Sequence, residues 1–286
     1  MKEITVSAII ELVAKLCKDA NYFLNTDIGQ AIARCRDTEC SPVGKSVLGS
    51  MLENAAIAAE EQVPICQDTG MTVVFFELGM DARIVGDSAA GEIDLDGVIN
   101  EGVRRGYEEG FLRKSVVRDP INRVNSGDNT PAVIHYSLVK GDKVKITVAP
   151  KGFGSENMSA LKMLTPADGI EGVKKFVIGT VSSGGGNPCP PIIVGVGVGG
   201  TMEKCAMLSK QALLRPVGSA HPDPFWKGVE SELLEKVNAL GIGPAGFGGM
   251  ATALAVHIET FGTHIAGLPV AVNIGCHVTR HAEGTL

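Results

Sequence analysis

Apolar residues recur every three or four positions over roughly the first 62 residues, which is the spacing of one face of an α-helix. The pattern begins in SAIIELVAKLC at residues 7–17. A later segment starts at Ser41-Pro42, a helix start signal, and stops at Val63-Pro64, where proline prevents helical continuation. The sequence therefore predicts three helices over about residues 1–62.

Beyond residue 64 the pattern changes to short β-branched and aromatic runs. MTVVFFEL at 71–78 predicts a strand, and residues 95–111 predict a helix. In AVIHYSLVKGDKVKITVAP two alternating runs flank Gly141-Asp142, which predicts a hairpin.

The second half of the chain mixes helical and strand patterns. KGFGSEN at 151–157 is expected to lead into a helix over MSALKML, and a further helix is expected from Pro166 to about Ser182. Strands are predicted at 191–199, 251–259 and 268–275, and helices at 201–214 and 227–240. Strand and helix alternate only in places, so the predicted fold is α+β or irregular α/β: one domain over residues 1–286, with a mixed β-sheet, flanking helices and a helical N-terminal region.

Composition and charge narrow the function classes. With 286 residues and 44% apolar residues the chain can bury a substantial core. A net charge of -6 without a basic stripe argues against nucleic acid binding. Charged residues interrupt the N-terminal helix pattern, so neither a signal peptide nor a membrane span is expected, and we expect a cytoplasmic protein.

The seven cysteines, without a secretory signal, argue against a disulfide framework. Cys17 and Cys205 lie in helical apolar patterns and are expected in the core. Cys66, Cys189 and Cys276 differ, because each lies on a turn rich in Gly or Pro where main-chain N–H groups are available. That environment suits an iron–sulfur cluster, and three ligands would leave one iron open as a Lewis acid. Cysteines this far apart in sequence often share no role, so spacing leaves the question open.

A glycine pattern in the same region suggests a different cofactor. Gly195, Gly197 and Gly200 form G-x-G-x-x-G, the outline of a dinucleotide-binding turn. That motif requires a second strand ending in an acidic residue about twenty positions on. Asp223 has this distance but lies between two prolines, so the glycines are expected to permit close packing of strand and helix instead.

A non-catalytic metal-binding protein is a further alternative. Zinc would need four ligands with at least one local pair. Cys35 and Cys40 form one such pair, but the sequence has no second pair to complement it.

Six blocks of sequence carry a resemblance to a known family: ICQDTG at 65–70, NTPAVIHY at 129–136, KGFGSENMSALKML at 151–164, SSGGGNPCPP at 182–191, GVGGTMEKCAMLSKQALLRPVG at 197–218 and THIAGLPVAVNIGCH at 263–277. Over essentially its whole length the chain resembles the alpha subunit, or N-terminal half, of class I iron–sulfur hydro-lyases, the family of class I fumarate hydratase and L(+)-tartrate dehydratase.

The resemblance implies that Cys66, Cys189 and Cys276 hold a 4Fe-4S cluster with one open iron. It implies reversible hydration of fumarate to L-malate, with dehydration of L(+)-tartrate to oxaloacetate as the alternative. The chain ends soon after Cys276, so a separate beta subunit is expected to supply further groups, including the base for the C3 proton, in an α2β2 assembly.

The resemblance also implies substrate contact for Gln67 and Asp68, with Asp68 handling a proton at the hydroxyl. The alternative for Asp68 is an Asx turn through Gly70. The helix pattern alone favours a surface pair for Arg104 and Arg105. The resemblance implies an arginine for a substrate carboxylate in this region, and Arg105 is our choice.

A lone histidine in an apolar stretch is usually a core residue, but the resemblance implies an active-site histidine in the segment of His264. His257, His277 and His281 are weaker candidates for the active site. The resemblance places Gly152, Gly154 and Asn157 in the wall of the site. The alternative for these glycines is ordinary tight turns.

Overall fold

The computed structural model describes residues 2–87 and 92–286. It is a mixture of helices and mixed sheets, which confirms the predicted α+β class. The elements in chain order are β1 Lys2–Thr5, α1 Val6–Tyr22, α2 Thr26–Thr38, α3 Pro42–Glu61, β2 Met71–Gly79, β3 Ala82–Val85, α4 Leu95–Glu109, β4 Val133–Val139, β5 Val144–Lys151, α5 Phe153–Glu156, β6 Ala160–Leu164, α6 Gly169–Gly184, β7 Ile192–Gly199, α7 Met202–Ala212, α8 Pro224–Asn238, β8 Ala253–Phe261, β9 Leu268–Gly275 and β10 Ala282–Thr285. Among the described helices, none has the length and apolar character needed to cross a membrane.

The chain divides into two compact units. Unit 1 comprises the described residues of Met1–Leu24, Ala55–Gly152 and Arg280–Leu286, and unit 2 comprises Asn25–Asn54 and Phe153–Thr279. The three helices expected in the first 62 residues are present as α1, α2 and α3. The expectation of a single family domain over residues 1–286 stays a prediction.

Unit 1 is built on a four-stranded sheet in the order β10-β5-β2-β4. Strand β2 pairs antiparallel with β5 and parallel with β4. Helices α1 and α4 pack together, and their apolar faces share one core with alternate residues of β2 and β5, among them Val74, Phe76 and Ile146. The sheet is thus buried on the side that faces these helices.

The predicted hairpin of residues 132–150 is wrong. Both strands form, as β4 and β5, but β2 lies between them and pairs with each. The physical reason is burial: residues 72–76 of β2 are all buried and need a neighbour on both sides, whereas β4 is largely exposed and takes the sheet edge.

Unit 2 has a second four-stranded sheet in the order β6-β9-β7-β8. Strand β7 is buried along its whole length, and it pairs parallel with β8 and antiparallel with β9. Valines on one side of β7 join a core with α6 and α8, and α7 packs against the sheet.

The predicted helix over MSALKML is also wrong. Residues Phe153–Glu156 form the short helix α5, and Ala160–Leu164 form strand β6, which pairs antiparallel with β9 at the sheet edge. Leu, Met, Ala and Lys favour helix locally, but pairing with a strand about a hundred residues away overrides that preference.

The glycines of β7 have the packing role that the sequence predicts. A β-carbon at Gly197 would lie 2.0 Å from the carbonyl oxygen of Cys205, and one at Gly195 would lie 2.2 Å from that of Ser209. Helix α7 therefore approaches β7 more closely than any residue with a side chain would permit.

This packing makes a matched pair of substitutions informative. Gly197→Ala should lower the free energy of unfolding by about 1–3 kcal/mol, because the added methyl group overpacks the contact with α7. Gly179→Ala, on α6 with no atom within 4 Å of the new β-carbon, should raise it by roughly 0.4–1 kcal/mol. Urea denaturation of the two variants checks this, and equal midpoints would show that the contact between β7 and α7 is wrong.

Candidate functional site

Cys189 and Cys276 lie at the same end of the unit 2 sheet, next to its two central strands. Strand β7 begins at Ile192 and β9 ends at Gly275, and the antiparallel register places Ile193 opposite Gly275. Cys189 comes just before β7 and Cys276 directly after β9. The main-chain N–H of His277 donates to the carbonyl oxygen of Cys189 at 3.3 Å, and Nδ1 of its ring lies 3.1 Å from the same oxygen. Unit 2 thus brings two of the three predicted ligands together.

The backbone at both cysteines is held by local hydrogen bonds. Cys189 has a φ of +57°, in the left-handed region, and its N–H donates to the carbonyl oxygen of Gly186 at 3.1 Å. A residue with a side chain pays roughly 1–2 kcal/mol to adopt this conformation. The carbonyl oxygen of Cys276 accepts from the N–H and hydroxyl of Thr279 at 2.9 and 2.8 Å. Cys189 is exposed and Cys276 is partly exposed.

Cys66 lies in unit 1, on the loop between α3 and β2. It is partly exposed, and its Sγ donates to Oε1 of Gln67 at 3.4 Å. Hydrogen bonds to main-chain carbonyl oxygens fix the loop. The N–H of Ile65 donates to the carbonyl oxygen of Asn21 at 2.9 Å, and the hydroxyl of Thr69 donates to the carbonyl oxygen of Arg113 at 2.8 Å.

Arg280 also holds this loop, and sequence reasoning missed it. It is only 3% exposed, and its Nη2 donates to the carbonyl oxygen of Asp68 at 2.8 Å while its Nε donates to Oδ1 of Asn21 at 3.2 Å. The charged guanidinium strengthens both hydrogen bonds, because they form in a buried setting. A buried arginine that binds a main-chain carbonyl has no signature in a single sequence.

The Asx turn expected as the alternative role of Asp68 is present. Its Oδ1 accepts from the N–H of Gly70 at 3.1 Å, and the residue is partly exposed. A β-carbon at Gly152 would lie 3.2 Å from Oδ2 of Asp68. Gly152 therefore leaves room for the carboxylate, and both residues lie in unit 1, where the structure brings them together. The catalytic role of Asp68 and the substrate contact of Gln67, which is exposed, stay predictions.

Arg104 and Arg105 both pair with Glu101 on α4. Arg104 donates to both Glu101 oxygens at 2.8 and 2.7 Å and to Glu108 at 2.9 Å, and Arg105 donates to Glu101 at 2.6 Å. Hydrogen bonds from Arg104 and then Arg105 lower the pKa of Glu101 to about 2. Arg104 is partly exposed and Arg105 is exposed, as in a surface charge cluster. Their contact with a substrate carboxylate stays a prediction.

His264 lies on the connection between β8 and β9, where it is exposed and its Nδ1 accepts from the N–H of Ala266 at 3.2 Å. The eight residues of β9 separate it from Cys276, a span of about 26 Å at 3.3 Å per strand residue. Within unit 2, His264 is thus at the opposite end of the sheet from Cys189 and Cys276. Its catalytic role stays a prediction.

His257 and His277 have different surroundings. His257 is buried on β8 with Nδ1 3.2 Å from the carbonyl oxygen of Ala212, and burial, followed by the nearby Arg215, lowers its pKa to about 4. His277 contacts the Cys189 carbonyl as described above. His281 lies in unit 1, directly before β10.

Gly154 and Asn157 lie near the loop of Cys189. A β-carbon at Gly154 would lie 3.9 Å from the carbonyl oxygen of Asn187, and the exposed Asn157 borders a cavity of about 630 Å³ in unit 2 that Ser183 and Gly184 also line. Their placement in a substrate-site wall stays a prediction.

A polar network near Cys276 was not expected from the sequence. Lys210 pairs with Oε1 of Glu156 at 2.7 Å, and Nδ2 of Asn273 donates to Oε2 of Glu156 at 2.9 Å and to the hydroxyl of Ser159 at 3.1 Å. The Ser159 hydroxyl also accepts the N–H of Ile274 at 3.0 Å. The network ties α5 and α7 to the end of β9 that carries Cys276.

The other four cysteines fall into two groups, of which only one is buried. Cys17 and Cys205 are fully buried, as expected for core residues, and burial raises the pKa of Cys17 to about 12. Cys35 is partly exposed and Cys40 is exposed. Over the described ranges 2–87 and 92–286, no set of three or more His, Cys, Asp or Glu side chains is close enough together to hold a metal ion.

Comparisons with known proteins agree with the resemblance. The family model described as "Fumarate hydratase (Fumerase)" matches residues 10–285. The chain is 44% identical over 279 residues to the "Putative L(+)-tartrate dehydratase subunit alpha" of Methanocaldococcus jannaschii, covering 96% of each chain. It is 34% identical over 289 residues to the "L(+)-tartrate dehydratase subunit alpha" of Escherichia coli K12, covering 100% of this chain and 92% of the relative. The chain therefore belongs to the fumarate hydratase (Fumerase) family of hydro-lyases.

Proposed function

We propose that this chain is the alpha subunit of an L(+)-tartrate dehydratase, which removes water from tartrate to give oxaloacetate. The observation that carries the proposal is the 44% identity, over 96% of both chains, to a relative named for that activity. Our first expectation, hydration of fumarate, has weaker support, because the relatives described above are named for tartrate. Fumarate hydration remains the second candidate, since the matching family model carries that name.

Cys66, Cys189 and Cys276 fit a 4Fe-4S cluster by the chemistry of their donor set. Thiolates are the protein ligands of such clusters, and these three are exposed or partly exposed on loops, unlike the buried Cys17 and Cys205. That these three thiolates bind one cluster is part of the proposal. When bound, the cluster supplies an open iron that acts as a Lewis acid toward a substrate hydroxyl or carboxylate.

The residues that follow Cys66 would bind and orient the substrate. The Gln67 amide can donate to a carboxylate oxygen, and the Asp68 carboxylate can exchange a proton with the departing hydroxyl. Gly70 and Arg280 fix this segment through the side chain and main chain of Asp68, respectively. A loop fixed in this way loses less conformational entropy when it orients the substrate.

The reaction also needs groups outside this chain. Loss of water takes hydroxide from C2 and a proton from C3, and the resulting enol rearranges to the ketone of oxaloacetate. We assign the C3 base to a beta subunit, because both relatives described above are named as alpha subunits. An α2β2 assembly in the cytoplasm is the arrangement that we propose.

The substrate distinguishes the two candidate reactions. Tartrate carries a hydroxyl on C3 that malate lacks, and a site built to hydrogen-bond that hydroxyl would reject malate strongly. The chain, produced anaerobically with its candidate beta subunit, should therefore turn over L(+)-tartrate with a kcat/KM at least about 100-fold above that for L-malate. Oxaloacetate formation and fumarate absorbance measure the two reactions. Turnover of malate and fumarate without turnover of tartrate would reverse the assignment.

Substitution of Asp68 separates its chemical role from its structural one. Asp68→Asn keeps an oxygen that can accept the N–H of Gly70, so the loop should hold, but it removes the proton-transfer group. We expect kcat to fall by about 10²–10⁴-fold with an unchanged unfolding midpoint. Asp68→Ala, which also loses the turn, serves as the comparison for stability. Full kcat in Asp68→Asn would restrict Asp68 to the Asx turn.

A further inference from the structure

We infer that Glu39, which follows directly after α2, is a positioning residue that fixes the loop carrying Cys189. No sequence motif points to Glu39, and the inference rests on the proposed function only in that Cys189 is taken as a cluster ligand. All of the residues that carry the inference belong to unit 2.

The Glu39 carboxylate is buried, and both of its oxygens accept hydrogen bonds. The residue is 5% exposed; its Oε1 accepts from the N–H of Ser41 at 3.0 Å, and its Oε2 accepts from those of Met250 and Ala251 at 2.8 and 3.2 Å. Burial by itself would raise the pKa of Glu39, but these main-chain donors outweigh it and lower the pKa. A charged acceptor makes such hydrogen bonds about twice as strong as neutral ones.

Glu39 thereby closes the end of a glycine-rich loop at residues 241–249. Glycines with positive φ stand at 241, 243, 246, 248 and 249, a backbone that has many alternatives in the unfolded chain. A β-carbon at Gly249 would lie 2.8 Å from both carboxylate oxygens of Glu39, so the carboxylate packs directly against the main chain of Gly249. The loop therefore depends on an anchor outside itself.

The same loop supports the segment that carries Cys189. The N–H of Ala245 donates to the carbonyl oxygen of Pro190 at 2.8 Å, immediately after Cys189. Gly246 packs against Gly186, where a β-carbon would lie 3.1 Å from the Cα of Gly246. The carbonyl oxygen of Gly186 in turn accepts the N–H of Cys189. The loop thus contacts the Cys189 turn on both sides of the cysteine.

Thr252 completes the connection. Its carbonyl oxygen accepts a hydrogen bond from the N–H of Ile192 at 2.9 Å, and its hydroxyl oxygen accepts one from the N–H of Gly243 at 3.2 Å. It follows Ala251, whose N–H is bound by Glu39. A continuous series of main-chain contacts therefore leads from the carboxylate to the left-handed turn at Cys189.

Loss of the Glu39 carboxylate should loosen the Cys189 turn and leave the Cys66 loop unchanged. The Cys66 loop is held by Asn21, Arg113 and Arg280, which all belong to unit 1, whereas Glu39 belongs to unit 2. This contrast distinguishes positioning from a general loss of stability.

The test is hydrogen–deuterium exchange of the full chain, read by mass spectrometry. In Glu39→Gln an NH2 group, which cannot accept a hydrogen bond, replaces one carboxylate oxygen. The main-chain N–H groups of residues 186–192 and 243–251 should then exchange at least tenfold faster, while those of residues 65–70 exchange as in the wild type. Glu39→Ala should show a larger effect, and Glu39→Asp, which keeps the charge on a shorter stem, a smaller one. Glu53→Gln, which removes the same charge from an exposed position on α3, is the matched control.

A second readout is iron bound per chain after gel filtration, which should fall in the order wild type, Glu39→Asp, Glu39→Gln, and remain at the wild-type level in Glu53→Gln. Faster exchange confined to 249–251 would overturn the inference, because Glu39 would then be only a local cap. A uniform increase across both units in Glu39→Gln and Glu39→Asp alike would overturn it too. Inactivity on tartrate together with the expected exchange pattern would refute the proposed substrate and leave the positioning role standing.

Discussion

The antiparallel pairing of β7 with β9 is the constraint on which the candidate site depends. Because β7 begins where β9 ends, two cysteines that are 87 positions apart lie on loops at the same end of the sheet. The pairing is held by burial: every residue of β7 is buried, and its glycines let α7 approach the backbone directly. A slip of this register by one residue would exchange the glycines that face α7 for the valines that face α6 and α8, and would shift the two cysteine-bearing loops relative to each other.

The loops themselves are fixed by polar groups that belong to other parts of the chain. Arg280 holds the segment of Cys66 and Asp68 in unit 1. Glu39 and the glycine-rich loop support the turn of Cys189 in unit 2, and Ser159 binds the end of β9 before Cys276. Each cysteine loop thus has a buried or partly buried hydrogen-bonding partner, which is what a preorganised metal site requires.

Local patterns in the sequence were sufficient for the helices, for β7 and for the buried cysteines, because burial repeats at helical or strand spacing there. They failed where distant segments decide. The hairpin of β4 and β5 is split by β2, and MSALKML becomes a strand because β9 offers it a partner. Glu39 and Met250 are 211 positions apart, so neither residue alone signals their contact. The three cysteines of the candidate site could be predicted from the composition of their loops and from the resemblance. Arg280 and Glu39, which hold two of these loops, could be found only from the structure.

Metal and sulfide analysis of the anaerobically purified chain tests directly whether these cysteines bind a cluster. We expect about four irons and four acid-labile sulfides per chain. Cys189→Ser should lose them together with the visible absorbance, whereas Cys40→Ser, a substitution of another exposed cysteine, should keep them. Zinc without sulfide, or an unchanged iron and sulfide content in Cys189→Ser, would show that Cys189 does not bind an iron–sulfur cluster.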